Sequence, residues 1–346
     1  MILSIKMKNM KNKVQIEAFA LPFHIERSKS HIEIVSKPLQ SYCSFTFQKW
    51  DGIHLPSVKN IHTRHLFFQY PPPEELLLDK KARLIWIPMW DHVRYFSDSY
   101  WMKLPKTLKV LAFSKSIFQK ATKYGLPTLY LQYFPNTEKL KKTNWNKERV
   151  LFYWNRIGLI GQDDLSRLCN ALNINTLYFQ NQLDPGILKS LNYKLPSKLK
   201  NTNVVYLQEY LPKEQYMQYL NKSNIYLAPR RYEGIGISYI EALSRGNCVL
   251  GVNAPTMNEY IIHKQNGYLL SYRSDEKFFP NIKRIIGIRI PKIFGGIRHQ
   301  IRLTVDWNEL KYLCLEDLGI QARKYCENGY QKWRNDREKY ADFILN

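Results

Sequence analysis

Short apolar runs alternate with amphipathic stretches along most of this chain. Residues 13–19 and 31–35 alternate apolar and polar positions, which predicts strands. The compact apolar runs 83–89, 109–114 and 129–135 predict strands buried on both faces. Between them, three prolines at 71–73 and the acids Glu74 and Glu75 predict a loop and a helix start. Residues 114–125 have helical spacing and a closing glycine, Gly125. A polar, charged stretch over 136–149 interrupts the rhythm and predicts a linker. The rotation then restarts, with strands predicted at 150–154, 176–179, 204–207 and 223–228. Helices are predicted at 163–172 and 213–220, and a helical tail from about Asp306. Strands alternating with helices imply parallel sheets of the α/β class, here in two units. The expected boundaries are 1–140 for the first domain, 141–149 for the linker, 150–315 for the second and 316–346 for the helical tail.

One segment carries chemistry. After the apolar run that Pro229 stops, the chain reads Arg230, Arg231, Tyr232, then Glu233-Gly234-Ile235-Gly236-Ile237-Ser238-Tyr239-Ile240-Glu241. Ile237, Ile240, Glu241 and Leu243 fall into helical spacing, and Gly246 stands where that helix would end. A strand, a glycine turn and a helix N-terminus make an anion site, because free backbone amides and the helix dipole both favour a phosphate. Gly234 and Gly236 let the main chain approach that phosphate without a Cβ in the way. Glu241, in the second helical turn, is placed to accept hydrogen bonds from a sugar hydroxyl of the same ligand. The alternative is two surface acids flanking a turn.

Composition narrows the class. The 346 residues are 45% hydrophobic, enough for two packed cores, and no stretch reaches the roughly 18 apolar residues of a membrane span. The first residues lack the apolar core of a secretory signal. Five scattered cysteines, never in a Cys-x-x-Cys pair, argue against a disulfide framework and a zinc site and for a reducing, cytoplasmic setting. The formal charge of +23 predicts attraction to something anionic, or reflects a Lys-rich, Asn-rich composition. A nucleic-acid-binding protein is suggested by charge alone and lacks any recognisable motif, so no nucleic-acid partner is expected. Residues 283–302 interleave isoleucines with Lys and Arg and contain no acid. That pattern suits either peripheral contact with the anionic inner face of a membrane or a looped element packed on its domain.

Residues 204–270 resemble the C-terminal domain of retaining nucleotide-sugar glycosyltransferases of the family 4, or group 1, type, which have the GT-B fold. The resemblance rests on the Glu233 to Glu241 pattern and continues through Ala242, Gly246, Cys248, Asn258, Glu259, Asn266 and Gly267. It implies two Rossmann-like domains with the donor in the cleft between them and a C-terminal helix. Gly236, Ile237 and Ser238 would present amides to the donor diphosphate, with Gly234 beside them, and Glu241 would bind the ribose. Glu233 would contact the transferred sugar. Arg156 sits where the family keeps an arginine that neutralises the leaving diphosphate. The lysine usual about five residues later is absent, Gly161 standing there, and Arg230 or Arg231 is a candidate substitute. His92, beside Asp91, occupies a place where the family often carries a histidine facing the sugar, or else is a structural histidine.

The first domain shows no glycine-rich loop after its first strand. Either the acceptor side departs from the family, or the natural start lies upstream. The expected activity is transfer of a sugar from a nucleoside diphosphate sugar to a glycan or lipid-linked glycan, with retention, in cell-surface polysaccharide or glycolipid synthesis. No metal and no cofactor beyond the donor is expected. The alternative is a catalytically inactive binding protein of the same fold, which the missing lysine and glycine loop favour.

Overall fold

The computed structural model describes residues 13–26, 29–58, 63–146, 148–156, 160–181, 199, 201–207, 211–228, 230–274 and 301–346. They form two compact units. One takes the described residues up to Tyr133, together with Glu233–Ile237 and Gly329–Asn346. The other takes Phe134–Tyr232 and Ser238–Asn328. The fold is α/β, with a six-stranded parallel sheet in each unit.

In the first unit β1 (Val14–Ala20), β2 (Cys43–Lys49), β3 (Arg64–Gln69), β4 (Arg83–Pro88), β5 (Lys109–Ala112) and β6 (Thr128–Tyr130) lie in the order β2-β1-β3-β4-β5-β6. β4 is buried from Leu84 to Pro88, as a parallel strand covered on both faces should be. On one face Phe19 stacks on Phe67 at 4.8 Å and Trp86 on Trp101 at 5.4 Å, within a core completed by Val110 and Ile117. The helix Lys115–Lys123 starts at Ser114, whose hydroxyl accepts the Ile117 N–H, and Gly125 turns the chain out of it at φ +70°. The helix Arg337–Leu345 packs back on this unit. Tyr340 donates to the Val35 carbonyl (2.8 Å), Lys109 to Phe343 O (2.8 Å), and Arg64 to Leu345 O. Two cations therefore take carbonyls that the last helical turn leaves open.

The alternation at 31–35 does not form a strand: Ser30–Ser36 is a helix. Five residues fit either period, and here His31, Ile32 and Val35 bury one helical face while Lys37 pairs with Glu33 one turn back (2.8 Å). β2 and β3 were not predicted. β2 is an edge strand of mixed burial, and β3 opens on Arg64 and His65, polar residues that mask its apolar centre.

The second unit holds β7 (Val150–Asn155), β8 (Thr176–Asn181), β9 (Asn203–Leu207), β10 (Ile225–Leu227), β11 (Cys248–Val252) and β12 (Tyr268–Leu270) in the order β12-β11-β10-β7-β8-β9. Read from β9 in order of appearance this is 3-2-1-4-5-6, the dinucleotide-fold order, and it reverses between β7 and β10. A small antiparallel pair, β13 (Tyr272–Ser274) and β14 (Ile301–Leu303), is tied on through the Leu303 N–H and Asp164 (2.8 Å). The membrane-contact expectation for 283–302 falls outside the described residues except at its last two positions.

The rear of the helix Ile237–Arg245 is clamped. Gly246 ends it at φ +90°, and its carbonyl accepts from the Trp145 indole (3.2 Å). Arg323, on the long helix Leu315–Asn335, donates to Ser244 O (3.1 Å) and Thr137 O (2.9 Å). The polar segment before β7 joins in, the Thr143 N–H donating to Arg245 O (2.9 Å). Gly319 is the crossing point: a Cβ there would run into the Gly246 carbonyl oxygen and lie 2.6 Å from Cζ2 of Trp145. Gly319→Ala is therefore expected to destabilise the protein by roughly 1–3 kcal/mol, since a backbone carbonyl cannot rotate aside as a side chain can. Denaturant unfolding against wild type measures it.

Candidate active site

In a sheet of this order, ligands bind beyond the carboxyl ends of the strands where the order reverses. At that point of the second unit β7 ends in Asn155 and Arg156, and β10 leads through Ala228 to Arg230 and the glycine turn. Asn155 is fully buried and its amide donates to Asn181 at the end of β8 (2.8 Å), which fixes the strand end from which Arg156 projects. The Arg156 guanidinium lies over the Trp154 ring, 4.8 Å from its centroid. Trp154 and Arg156 are two residues apart, so the strand's period of two puts them on one face.

Trp154 packs in turn on Tyr216 of the helix Lys213–Lys222, ring centroids 5.8 Å apart. Tyr216 also meets Phe152 at 5.4 Å, and Phe152 meets Tyr226 of β10 at 5.8 Å. The Tyr216 hydroxyl is buried, and burial, followed by the charges of Tyr226 and Glu241, holds its pKa well above the usual phenol value. Arg156 thus ends an aromatic stack that runs through Trp154 to Tyr216 and Phe152. Glu241 is partly exposed as a residue, while crowding around its carboxyl raises its pKa; Arg245 and Lys213 oppose the rise.

Gly236 precedes the helix Ile237–Arg245 at φ +80°, a conformation only glycine adopts without strain. Ile237 and Ser238 are partly exposed in the first turn, where amides have no partner within the helix. Tyr239 turns inward to Thr256, oxygen to oxygen 2.9 Å. Glu233 is 5% exposed. Arg231 is engaged elsewhere: its Nε donates to the Tyr272 hydroxyl (2.9 Å), and its guanidinium lies 4.8 Å from the Tyr232 ring and 4.9 Å from that of Tyr272. Gly161 caps the helix Gln162–Ala171 and leaves its position without a cation.

Within the first unit, Gly234 meets the turn that carries His92. A Cβ on Gly234 would lie 2.7 Å from the Met89 sulfur, and the Met89 carbonyl accepts the His92 N–H (2.9 Å). His92 packs edge-on against Tyr70 at 4.4 Å and Phe96 at 5.8 Å. Burial lowers its pKa against the opposing charge of Asp91, so the ring is neutral at pH 7. Among the described residues no group of three His, Cys, Asp or Glu is placed to hold a metal ion, and no helix is long and apolar enough to cross a membrane.

Sequence reasoning missed Trp154, Tyr216, Arg245 and Met89. Two of them left a signal: Trp154 lies two positions before Arg156, and Arg245 lies one helical turn after Glu241.

Residues 189–290 match the family model of glycosyl transferases group 1. That span includes Arg231, Glu233, the glycine turn and Glu241, and leaves Arg156 and His92 outside. No curated protein sequence matches the chain. Solved structures share its fold along nearly the whole length. A glycosyltransferase from Rickettsia africae is 14% identical with a TM-score of 0.58, the match covering 97% of this chain and 100% of that one. HepE from Anabaena, in complex with UDP and glucose, is 14% identical with a TM-score of 0.56, covering 96% and 98%. Sucrose-phosphate synthase from Thermosynechococcus elongatus is 12% identical with a TM-score of 0.57, covering 95% and 100%. The fold is GT-B, two Rossmann-like α/β units.

The glycine geometry gives a testable pair. Gly236→Ala is expected to cost about 1–2 kcal/mol, because its φ is positive. Gly234→Ala should also destabilise, and Met89→Ala in the same chain should relieve part of that loss. Chemical denaturation of the three variants checks this, and no relief by Met89→Ala would contradict the contact.

Proposed function

We propose that the protein is a glycosyltransferase that moves a sugar from a nucleoside diphosphate sugar to a hydroxyl of a glycan or lipid-linked glycan. The observation that carries the reading is the glycine turn that opens the helix Ile237–Arg245 after β10, with Arg156 stacked on Trp154 after the neighbouring β7, at the strand-order reversal of the second unit. The group 1 match over the glycine turn supports it. So does HepE, a protein of the same fold solved with UDP and glucose.

In this reading the amides of Gly236, Ile237 and Ser238 receive the donor diphosphate, while the absent Cβ of Gly234, expected to clear the phosphate, instead makes room for Met89. Glu241 accepts hydrogen bonds from the ribose hydroxyls. As the bond from the anomeric carbon to the diphosphate oxygen breaks and the bond to the acceptor oxygen forms, negative charge builds on the leaving diphosphate, which takes up the proton of the acceptor hydroxyl. Arg156 stabilises that charge from a fixed position, and the helix N-terminus adds its dipole. Glu233 contacts the transferred sugar near its anomeric centre, and neutral His92 hydrogen-bonds it. Arg231, which the resemblance offered as a second cation, needs to leave Tyr272 to serve. Transfer proceeds with retention and without a metal ion, since Arg156 and the helix N-terminus do the work of a cation. The setting is the cytoplasmic side, peripheral to the membrane, in synthesis of a cell-surface polysaccharide or glycolipid.

One observation favours a second reading, a binding protein without turnover: the family's lysine position is Gly161.

Calorimetry with UDP, GDP and ADP on wild type and Glu241→Ala tests the site. One nucleotide should bind, and the variant should lose at least about tenfold in affinity, near 1.4 kcal/mol. Arg156→Ala should keep most nucleotide binding and lower donor turnover by about 10²–10³. Binding without hydrolysis or transfer of any sugar conjugate would select the second reading, and no binding by folded protein would remove both.

A further inference from the structure

The first unit has its own reversal of strand order. By order of appearance its strands run 2-1-3-4-5-6, so the connections turn to opposite sides between the parallel pair β1 and β3. Ligands bind beyond the carboxyl ends of the strands at such a point. β1 ends at Ala20 and leads into the short helix Pro22–Glu26, and β3 ends at Gln69. Gln69 stands at φ +67°, with the Tyr70 N–H donating across it to Phe68 O (2.8 Å). This is the strained form of γ-turn, which glycine adopts with far less strain than glutamine. Strain of this kind persists only where the surroundings hold it, and it gathers at functional sites. Here the Trp86 indole donates to the Gln69 carbonyl (3.3 Å), and His24 holds the side chain, Nε2 to Oε1 3.1 Å. A carboxamide oxygen only accepts, so His24 is the donor. His24 is itself braced edge-on by His31 at 4.0 Å, and His31 by Phe68 at 5.5 Å. With its side-chain oxygen taken, Gln69 has its amino group left to offer. The residue is partly exposed, and no partner for Nε2 occurs among the described residues.

We propose that Gln69 is a specificity-determining residue for the acceptor: oriented by His24, its side-chain N–H groups donate to a hydroxyl oxygen of the acceptor sugar. The proposal rests on the reading of the protein as a glycosyltransferase, and it names a residue of the first unit that recognises the second substrate. The ligand called for is neutral. Lys49, the cation at the end of the adjoining β2, is paired with Glu26 of the helix that carries His24 (2.6 Å), and a carboxamide is itself uncharged. A phosphate is held best by an available cation, whereas a hydroxyl oxygen is matched by a single amide donor. The place also suits the reaction. β3 pairs in parallel with β4, and His92 follows β4, so Gln69 and His92 stand at the same end of neighbouring strands. Tyr70, the residue that the turn redirects, packs on His92 at 4.4 Å. A donor fixed in this way discriminates strongly, because a ligand without the matching oxygen leaves it unpaired.

The test follows the side-chain amide of Gln69 in nitrogen-15-labelled wild type while methyl glycosides of glucose, galactose, mannose and N-acetylglucosamine are added, with and without UDP. At least one glycoside is expected to move the Gln69 amide resonances in a saturable way. Gln69→Glu keeps an oxygen for His24 and removes the amino group. It should lower affinity for that glycoside about tenfold and leave UDP affinity within about twofold. No movement of the Gln69 amide with any glycoside, or unchanged glycoside affinity in folded Gln69→Glu, overturns the proposal and leaves the His24–Gln69 bond a tie between two strand ends. Movement with inorganic phosphate and with no glycoside overturns it in favour of an anion. If Gln69→Glu does not fold, the wild-type titration decides alone. A wild type that binds UDP while its Gln69 amide answers no glycoside loses this proposal and keeps the donor site. A wild type whose Gln69 amide answers a glycoside but which binds no nucleotide keeps the sugar site and loses the transferase reading.

Discussion

The arrangement depends on how the helix Ile237–Arg245 is held at its rear. A helix leaves four carbonyls open at one end and four amides at the other. Here the carbonyls of Ser244 and Gly246 are taken by Arg323 and Trp145, and that of Arg245 by the Thr143 amide. The Gly246–Gly319 crossing brings the backbones close enough for this. With one end satisfied from within the protein, the opposite end can serve a ligand without unravelling the helix. The donors reach it from both sides in sequence, the segment before β7 and the long helix after β14, so most of the second unit has to fold before the site helix is secured.

The same helix carries the buried Arg245, which links it to the neighbouring layer. Arg245 bonds to Asn221 of the helix Lys213–Lys222, whose Tyr216 continues through Trp154 to Arg156. Aromatic rings are stiff and bury large areas with few rotatable bonds, so a chain of them transmits position better than a run of aliphatic side chains. β10 pairs in parallel with β7, so the arginine that follows β7 and the helix that follows β10 stand at the same end of neighbouring strands. Stacking on Trp154 holds the Arg156 guanidinium in place, the order that the proposed leaving-group role requires of a cation.

Much of this was legible from sequence. Parallel strands buried on both faces read as continuous apolar runs, which is why β4, β5, β7 and β10 were readable. Glycines at helix ends marked Gly125 and Gly246 correctly. The strand, glycine turn and helix expected around Gly236 are formed there. Short or partly polar elements were not legible: the helix Ser30–Ser36 presents five residues compatible with either period, and β3 begins with charged and polar residues. The supporting residues were hidden for a different reason. Tryptophan and tyrosine in an α/β protein are usually core, and nothing local distinguishes Tyr216 from the rest. Arg245 looked like an ordinary cation in a last helical turn, and only Asn221 and Met217, 24 and 28 positions away, reveal its burial.

The central claim is that a nucleoside diphosphate docks on the amino end of the helix Ile237–Arg245. The most direct measurement is a titration of UDP, or of whichever nucleotide binds, into nitrogen-15-labelled protein while following backbone amides. The account predicts that the amides of Gly236, Ile237 and Ser238 shift most and move downfield, as donors to a phosphate do. Saturable shifts confined to other parts of the chain, with these three unmoved, would contradict it.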